Sequence, residues 1–280
     1  MRAEVQDASN AVKHLGFEQR REKIYRWLLA PDPSTNYNKA LEQRYEGSGV
    51  WFLESDTFAK WKTRQNSFLW LYGIPGCGKT ILSSAIIKNL HSILSSQPLL
   101  YFYFDFNDIG KQKLESMVRS LISQLYYKYL DTSQELESLF SSCDDGHRQP
   151  TSGSLYKVLL YMIEQVKEVW LVLDALDECG TRRGPPTEGL LSWIREVLSS
   201  EQRNVHLLVT SRPEHDIEFG IMGFAHNDDI VPIRSSLISD DIRAYVRTRI
   251  REDSSLKRWR SHPEVRNEIE TRLMEKADGM

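Results

Sequence analysis

The stretch FLWLYGIPGCGKTILSS, residues 68–84, carries residue types that bind phosphate. Positions 73–80 match the pattern G-x-x-x-x-G-K-[ST], in which glycines let the backbone turn tightly and direct successive N–H groups toward phosphate oxygens. We expect Lys79 to reach the β- and γ-phosphates and the Thr80 hydroxyl to ligate Mg²⁺. The sequence therefore predicts a nucleotide-binding loop. Its candidate binding residues are Gly73, Pro75, Gly76, Cys77, Gly78, Lys79, Thr80 and Ile81.

Three acidic residues follow an apolar run in VWLVLDALDE, residues 169–178. A phosphate-binding loop needs a carboxylate at the end of a neighbouring strand to hold Mg²⁺ through water, and Asp174 is predicted to supply it. Asp177 and Glu178 follow within one turn, close enough to orient or deprotonate a water that attacks a γ-phosphate. We predict Glu178 as the catalytic base and keep Asp177 as the second catalytic candidate.

An arginine follows another apolar run, in LLVTSRP at residues 207–213. The carboxyl ends of strands in an open α/β sheet form the edge where ligands collect, and a guanidinium there could contact a γ-phosphate through two hydrogen bonds. Arg212 is therefore a third candidate for the catalytic site. An arginine after a strand more often faces water, so this feature alone is a weak indication.

Short apolar runs predict the strands that must position these side chains. The runs cover residues 68–72, 99–106, 169–178 and 205–213, and residues 229–233 form a weaker fifth. Helical patterns lie between most of them, and one helix is expected to end within residues 24–29. This alternation is typical of an α/β fold with a mostly parallel central sheet that is flanked by helices. Ser55 or Asp56 is expected to cap a further short helix.

The chain is predicted to consist of three parts. Residues 1–43 form an N-terminal helical segment and linker, residues 44–235 the nucleotide-binding core, and residues 236–280 a C-terminal helical segment. The net charge of −3, the polar N-terminus, and three cysteines without a paired spacing are typical of a soluble protein in the reducing cytoplasm. We expect neither a membrane nor a nucleic acid as a partner.

Three motifs in this order, GIPGCGKT, LVLDALDE and VTSRPE, resemble the NACHT branch of the signal-transducing STAND NTPases. The resemblance is to the nephrocystin-like N-terminal type found in fungal NOD-like receptors, and it extends from residue 47 to the C-terminus. It implies a P-loop NTPase core that binds ATP or ADP with Mg²⁺, with Arg212 as the sensor arginine and residues 47–52 near the adenine. In this family the chain continues beyond ADGM into a winged-helix region, so we expect the C-terminal segment to be truncated.

Other nucleotide-dependent and nucleic-acid-binding functions have weaker support. The N/T-K-x-D motif of guanine recognition is absent from the sequence, and the basic TRRG at residues 181–184 is too short to indicate a kinase lid. Residues 256–260, LKRWR, are the one candidate for DNA binding, and a solvated helix face explains them better. Two hypotheses stay open: a slow ATP-hydrolysing switch with nucleotide-dependent self-association, and a nucleotide-binding oligomerisation module that seldom hydrolyses.

Overall fold

Five strands form one parallel sheet at the centre of the computed structural model, which describes residues 2–129, 134–199, 204–252 and 262–277. Every hydrogen-bonded pair of neighbouring strands runs parallel, and the strand order is β2-β3-β4-β1-β5. The predicted α/β fold is confirmed. The strands are β1 (Phe68–Tyr72), β2 (Leu99–Tyr103), β3 (Val169–Asp174), β4 (Val205–Ser211) and β5 (Ile230–Pro232).

Helices connect and cover these strands, as the alternating pattern predicts. Those before the sheet are α1 (Arg2–Leu28), α2 (Ser34–Gln43), α3 (Val50–Leu53) and α4 (Asp56–Thr63). Those between strands are α5 (Lys79–Ile93), α6 (Leu114–Lys128), α7 (Gln134–Ser142), α8 (Ser152–Gln165), α9 (Leu190–Ser199) and α10 (His215–Met222). The last two are α11 (Ser235–Glu252) and α12 (Pro263–Ala277). Short 3₁₀ helices cover Ile109–Lys111, Leu176–Glu178 and Asn227–Asp229.

Both faces of the sheet are packed, which explains why the strands read as continuous apolar runs. Successive side chains of a strand point to opposite faces. In β3, Leu171 and Leu173 belong to one hydrophobic cluster, whereas Trp170 and Val172 belong to a second cluster. Every residue of β3 and β4 is buried. A helix layer on each side of the sheet therefore excludes water from its centre.

The local signals for helix ends are confirmed at two positions. Helix α1 ends at Leu28, inside the predicted range, and the Ser55 hydroxyl caps α4 by accepting the Phe58 N–H at 3.2 Å. All five strands lie within the predicted core of residues 44–235, and the three-part division of the chain stays a prediction. Within the part of the chain described by the structure, no helix is both long and apolar enough to cross a membrane.

The carboxyl ends of β1, β3 and β4 meet at one edge of the sheet because neighbouring strands run parallel. The loop of residues 73–78 follows β1, Asp174 is the last residue of β3, and Arg212 follows β4 directly. These three features are separated by more than 30 residues from one another along the sequence. The sheet topology brings all of them to the same edge.

Candidate functional site

The glycines of the loop after β1 occupy positions where other residues would be strained or blocked. Gly76 has φ +79° and Gly78 has φ +84°, in the left-handed region that favours glycine. A Cβ atom on Gly73 would lie 2.6 Å from Cys77 Sγ and 3.2 Å from the Ile233 carbonyl oxygen. The loop therefore needs glycine at these three places. Pro75 is exposed on the loop, whereas Cys77 is buried beneath it.

Lys79 and Thr80 begin helix α5 and bring two kinds of polar group to the loop. The Lys79 ammonium donates hydrogen bonds to the carbonyl oxygens of Gly73 at 2.8 Å and Ile74 at 2.9 Å, so its charge lies over the loop. The Thr80 hydroxyl donates to Asp174 Oδ2 at 2.8 Å. A positive charge, a helix N-terminus and a hydroxyl therefore converge beside the loop, as a phosphate site requires.

Asp174 is a buried carboxylate surrounded by hydroxyl donors. Its exposed fraction is 2%, and its Oδ1 accepts hydrogen bonds from Ser83 Oγ at 2.5 Å and Thr210 Oγ1 at 2.7 Å. Burial raises the pKa of this carboxyl, and the bonds from Ser83, Thr210 and Thr80 act in the opposite direction. Together they satisfy a charged group that would otherwise be costly to bury. The sequence motifs assign no role to Ser83, although its position three residues after Thr80 places both on one helix face.

The donor set at this edge suits Mg²⁺ better than a transition metal. Mg²⁺ prefers oxygen ligands and is commonly held by one or two carboxylates together with phosphate oxygens and water. Thr80 and Asp174 offer such oxygens next to the loop. Among the described residues there is no group of three or more His, Cys, Asp or Glu side chains that could hold a metal ion by themselves. An ion at this position would therefore take further ligands from phosphate or water.

Asp177 and Glu178, the two acids that follow β3, contact different parts of the chain. Ala175 has φ +57°, and after it the chain enters the 3₁₀ helix that carries both acids. Asp177 faces the end of β4, where its oxygens accept the Arg212 main-chain N–H at 2.9 Å and Nε–H at 2.6 Å. Glu178 faces the segment after β2, and its Oε2 accepts the Phe106 N–H at 2.8 Å. Two residues that are adjacent in sequence thus have separate environments.

The electrostatics of Glu178 distinguish it from an ordinary surface carboxylate. Burial raises its pKa, and the carboxylates of Asp177, Asp105 and Asp174 raise it further, although the Phe106 N–H opposes them. A carboxylate with a raised pKa is a better proton acceptor near neutral pH. This environment is compatible with the predicted base.

Arg212 lies at the edge of the site, and its side chain is 44% exposed. Its hydrogen bond and ion pair with Asp177 raise the pKa of its guanidinium, and Glu214 lies farther away, at 3.5 Å from Nη2. A second arginine, Arg182, is not among the predicted site residues and contacts the same region. Arg182 donates to the Asp177 carbonyl oxygen, to Glu214 Oε2 at 2.8 Å and to Asp216 Oδ2 at 2.9 Å.

A cavity of about 690 Å³ lies beside the loop and is large enough for a small organic ligand. Gly76, Gly78 and Ile81 form part of its wall. The segment of residues 47–52 contributes further wall residues, including Gly49, whose N–H donates to Asp241 Oδ2 in α11 at 2.7 Å. The segment expected near the adenine therefore lines the same cavity as the loop, and its role toward a base stays a prediction.

His206 is buried in β4, and its ring nitrogens lie 2.8 Å from Ser67 Oγ and 3.0 Å from Glu168 Oε1, so it is a core histidine with partners on both sides. Residues 256–260, the candidate DNA-binding segment, lie outside the described residues.

Two comparisons relate the chain to known proteins. A family model described as "Nephrocystin 3, N-terminal" matches residues 47–212, a range that includes the loop, Asp174 and Arg212. The chain is also similar to "Vegetative incompatibility protein HET-E-1" of Podospora anserina, with 25% identity over 260 residues. That alignment covers 85% of this chain and 18% of the relative, so the chain spans less than a fifth of the length of the relative.

Proposed function

The chain belongs to the nephrocystin 3 N-terminal family, and from this premise we propose that it is an ATP-binding, slowly ATP-hydrolysing switch module of a NOD-like receptor type protein. The family match confirms the NACHT-type domain that the three motifs indicate. The name of this relative refers to vegetative incompatibility, which supports a signalling role over a metabolic one. We extend this to a cytoplasmic signalling role of the kind that innate immunity uses.

The observation that carries the proposal is the link between the loop and the end of β3. Thr80, directly after the loop lysine, donates to Asp174, and the two groups bring a hydroxyl and a carboxylate to one point beside the glycine turn. This pairing of a phosphate-binding loop with a strand-end carboxylate is what P-loop NTPases use for nucleotide and metal. When bound, Mg²⁺ would neutralise part of the phosphate charge.

The remaining site residues have separate proposed roles toward a bound triphosphate. We assign Lys79 to the phosphate oxygens, Glu178 to the water that attacks the γ-phosphate, and Arg212 to sensing whether that phosphate is present. Each assignment rests on the position of the side chain at the same sheet edge. A γ-phosphate shifts a conformational equilibrium only through contacts that differ between two states, and Arg212 at the rim of the site is placed to make such a contact.

A nucleotide-binding scaffold without significant turnover is the second candidate function. One observation favours it: Glu178 Oε2 already accepts the Phe106 N–H, and a hydrogen bond to the charged form makes a carboxylate a weaker base. Single-turnover hydrolysis on the purified protein separates the two functions. Mass-spectrometric identification of a co-purifying nucleotide tests the choice of ATP or ADP over other nucleotides.

The test of nucleotide binding is the variant Lys79→Ala, with Lys88→Ala as a matched control on an exposed turn of the same helix. Titration calorimetry with ATP and Mg²⁺ should show no measurable binding to Lys79→Ala, because the variant loses charge-assisted contacts to phosphate. Lys88→Ala should bind as the wild type does, and both variants should melt at similar temperatures. Wild-type affinity in Lys79→Ala would contradict the phosphate-loop assignment.

The proposed partners are the nucleotide and a second copy of the chain. Light scattering should give a larger mass with a non-hydrolysable ATP analogue than with ADP if the γ-phosphate favours association. The same monomeric mass with both nucleotides would remove the switch from the proposal and leave a plain nucleotide-binding domain.

A further inference from the structure

The carboxylate of Asp177 is committed to Arg212 through both of its oxygens. Oδ1 accepts the main-chain N–H of Arg212 at 2.9 Å, and Oδ2 accepts its Nε–H at 2.6 Å. Only 3% of the Asp177 side chain is exposed. We propose that Asp177 is a positioning residue, which holds Arg212 in the orientation that distinguishes a triphosphate from a diphosphate. This inference rests on the proposed function and assigns Asp177 a role other than that of a base.

The two contacts fix the arginine at both ends of its flexible stem. The main-chain N–H sets the start of the side chain and Nε sets its far end, so the dihedral angles between them have little freedom. An exposed arginine without such contacts samples many rotamers and loses that freedom when it binds a ligand. Asp177 accepts only the Nε–H of the guanidinium, so the N–H groups of the two Nη nitrogens are left for other acceptors, of which Glu214 Oε1 lies 3.5 Å from Nη2. A guanidinium that is oriented before binding discriminates better than a mobile one.

Asp177 can act in this way because its own backbone is braced. Arg182 donates to the Asp177 carbonyl oxygen and forms ion pairs with Glu214 and Asp216 at the start of α10. Arg182 is 22% exposed, and its charge is compensated by these two acids. The turn after β3 is thereby tied to the segment after β4. The Asp177 carboxylate therefore projects toward Arg212 from a fixed position.

The environment of Glu178 supports this division of roles. Glu178 faces the segment after β2, away from Arg212, whereas Asp177 faces the end of β4. A buried carboxylate that receives two N–H bonds from one arginine is poorly placed to accept a proton from water. The positional role gives the two acids at this turn separate functions. One acid orients the sensor, and its neighbour remains available for the chemistry.

A double-mutant cycle tests the proposal on the 280-residue chain. We measure by calorimetry, with Mg²⁺ present, the ratio of the dissociation constants for ADP and for a non-hydrolysable ATP analogue. Asp177→Ala and Arg212→Ala should each reduce this ratio by on the order of tenfold, the value of one charge-assisted contact. The double variant should be no worse than Arg212→Ala alone, because Asp177 acts through Arg212. Losses that multiply in the double variant, or an unchanged ratio in Asp177→Ala, would overturn the proposal.

Two further variants keep the test decisive. Arg212→Lys keeps the positive charge but removes the Nε–H, so it should lose the discrimination as Arg212→Ala does, and wild-type discrimination would refute the role of the Asp177 contact. Arg212→Lys also tests the proposal if Asp177→Ala fails to fold. Glu214→Gln tests the other acid near Arg212, and it should reduce the ratio less than Asp177→Ala does, because its contact with Arg212 is longer, at 3.5 Å, and Arg182 keeps its contact with Asp216. A larger loss in Glu214→Gln than in Asp177→Ala would assign the positioning role to Glu214 instead.

The outcomes also separate this inference from the proposed function. If the wild-type chain binds neither nucleotide, both are wrong. If it binds both nucleotides with equal affinity, nucleotide binding stands and the positioning role is wrong. If it discriminates and the losses multiply, the proposed function stands, and Asp177 contributes through contacts of its own.

Discussion

Ser83 and Ser84 provide a matched pair for testing how the buried carboxylate of Asp174 is stabilised. Both serines are fully buried neighbours on α5. Ser83 Oγ donates to Asp174 Oδ1 at 2.5 Å, whereas Ser84 Oγ donates to the Ile81 carbonyl oxygen at 2.7 Å within the helix. Replacement by alanine removes the same hydroxyl at both positions. Only at Ser83 does the hydroxyl serve a charged group.

Ser83→Ala and Ser84→Ala should differ in their free energies of unfolding because the two hydroxyls donate to different kinds of acceptor. A hydrogen bond to a charged group contributes about 1.5–3 kcal/mol, and the buried Ser83 site gives water little room to replace it. A neutral bond contributes about 0.5–1.5 kcal/mol, part of which the better helix propensity of alanine restores at Ser84. We therefore expect Ser83→Ala to lower the free energy of unfolding by about 2 kcal/mol and Ser84→Ala by no more than about 1 kcal/mol. In melting temperature, the first change corresponds to roughly 4–8 °C.

Urea titration at constant pH, with thermal melting as a second probe, measures both variants. Repeating Ser83→Ala in an Asp174→Asn background supplies the decisive control. Because the asparagine is neutral, the loss of the hydroxyl should cost clearly less there than in the wild type. Equal losses for Ser83→Ala and Ser84→Ala, or an equal Ser83→Ala loss in both backgrounds, would refute the view that this hydroxyl compensates a buried charge.

Variants at Glu178, Asp174 and Gly73 test the other assignments at the site. Glu178→Gln should slow single-turnover hydrolysis by about 10²–10⁴-fold with little change in ATP affinity, and a wild-type rate would exclude Glu178 as the base. Because burial raises the pKa of Glu178, its favourable contribution to stability is present below the unfolded-state pKa and is lost as pH rises through the folded-state pKa. Glu178→Gln should therefore raise the urea midpoint at about pH 8 but not at about pH 4, and the reverse order would refute this sign. Asp174→Asn should weaken ATP binding when Mg²⁺ is present more than when it is chelated, as calorimetry can show. Gly73→Ala should reduce nucleotide affinity or stability, because its Cβ would meet Cys77 Sγ at 2.6 Å; wild-type values for both would show that the loop adapts.

The strand positions could be predicted from sequence because both faces of the sheet are buried. The predicted range of β1, residues 68–72, agrees with the structure at both ends. The predicted run of residues 99–106 is too long, since β2 ends at Tyr103. Phe104 is still buried beyond the strand, whereas Phe106 is largely exposed. Apolar character shows where a chain is buried, and it does not show where the chain leaves the sheet.

The turn of residues 73–78 is the part of the candidate site that the sequence predicts most directly, because its positions are adjacent in sequence and its glycines have local conformational reasons. The hydroxyls around Asp174 are harder to predict. Thr80 and Ser83 come from α5 and Thr210 comes from β4, so their common acceptor depends on how the helix and the two strands pack. Serine and threonine are common throughout the chain, and a sequence pattern does not show which of them meet a carboxylate.

The separation of Asp177 from Glu178 depends on topology that the motif does not contain. The strand order places β3 between β2 and β4, so a turn at the end of β3 has a different neighbour on each side. Ala175, with φ +57°, precedes the short 3₁₀ helix from which one acid faces β4 and Arg212 while the next faces the segment after β2. The sequence LVLDALDE does not specify which strands lie beside β3, so it does not specify which segment each acid faces. In the strand order found here, Asp177 contacts Arg212, whereas Glu178 contacts the segment after β2 and has a raised pKa. This difference in surroundings is the physical basis for assigning the two acids different roles.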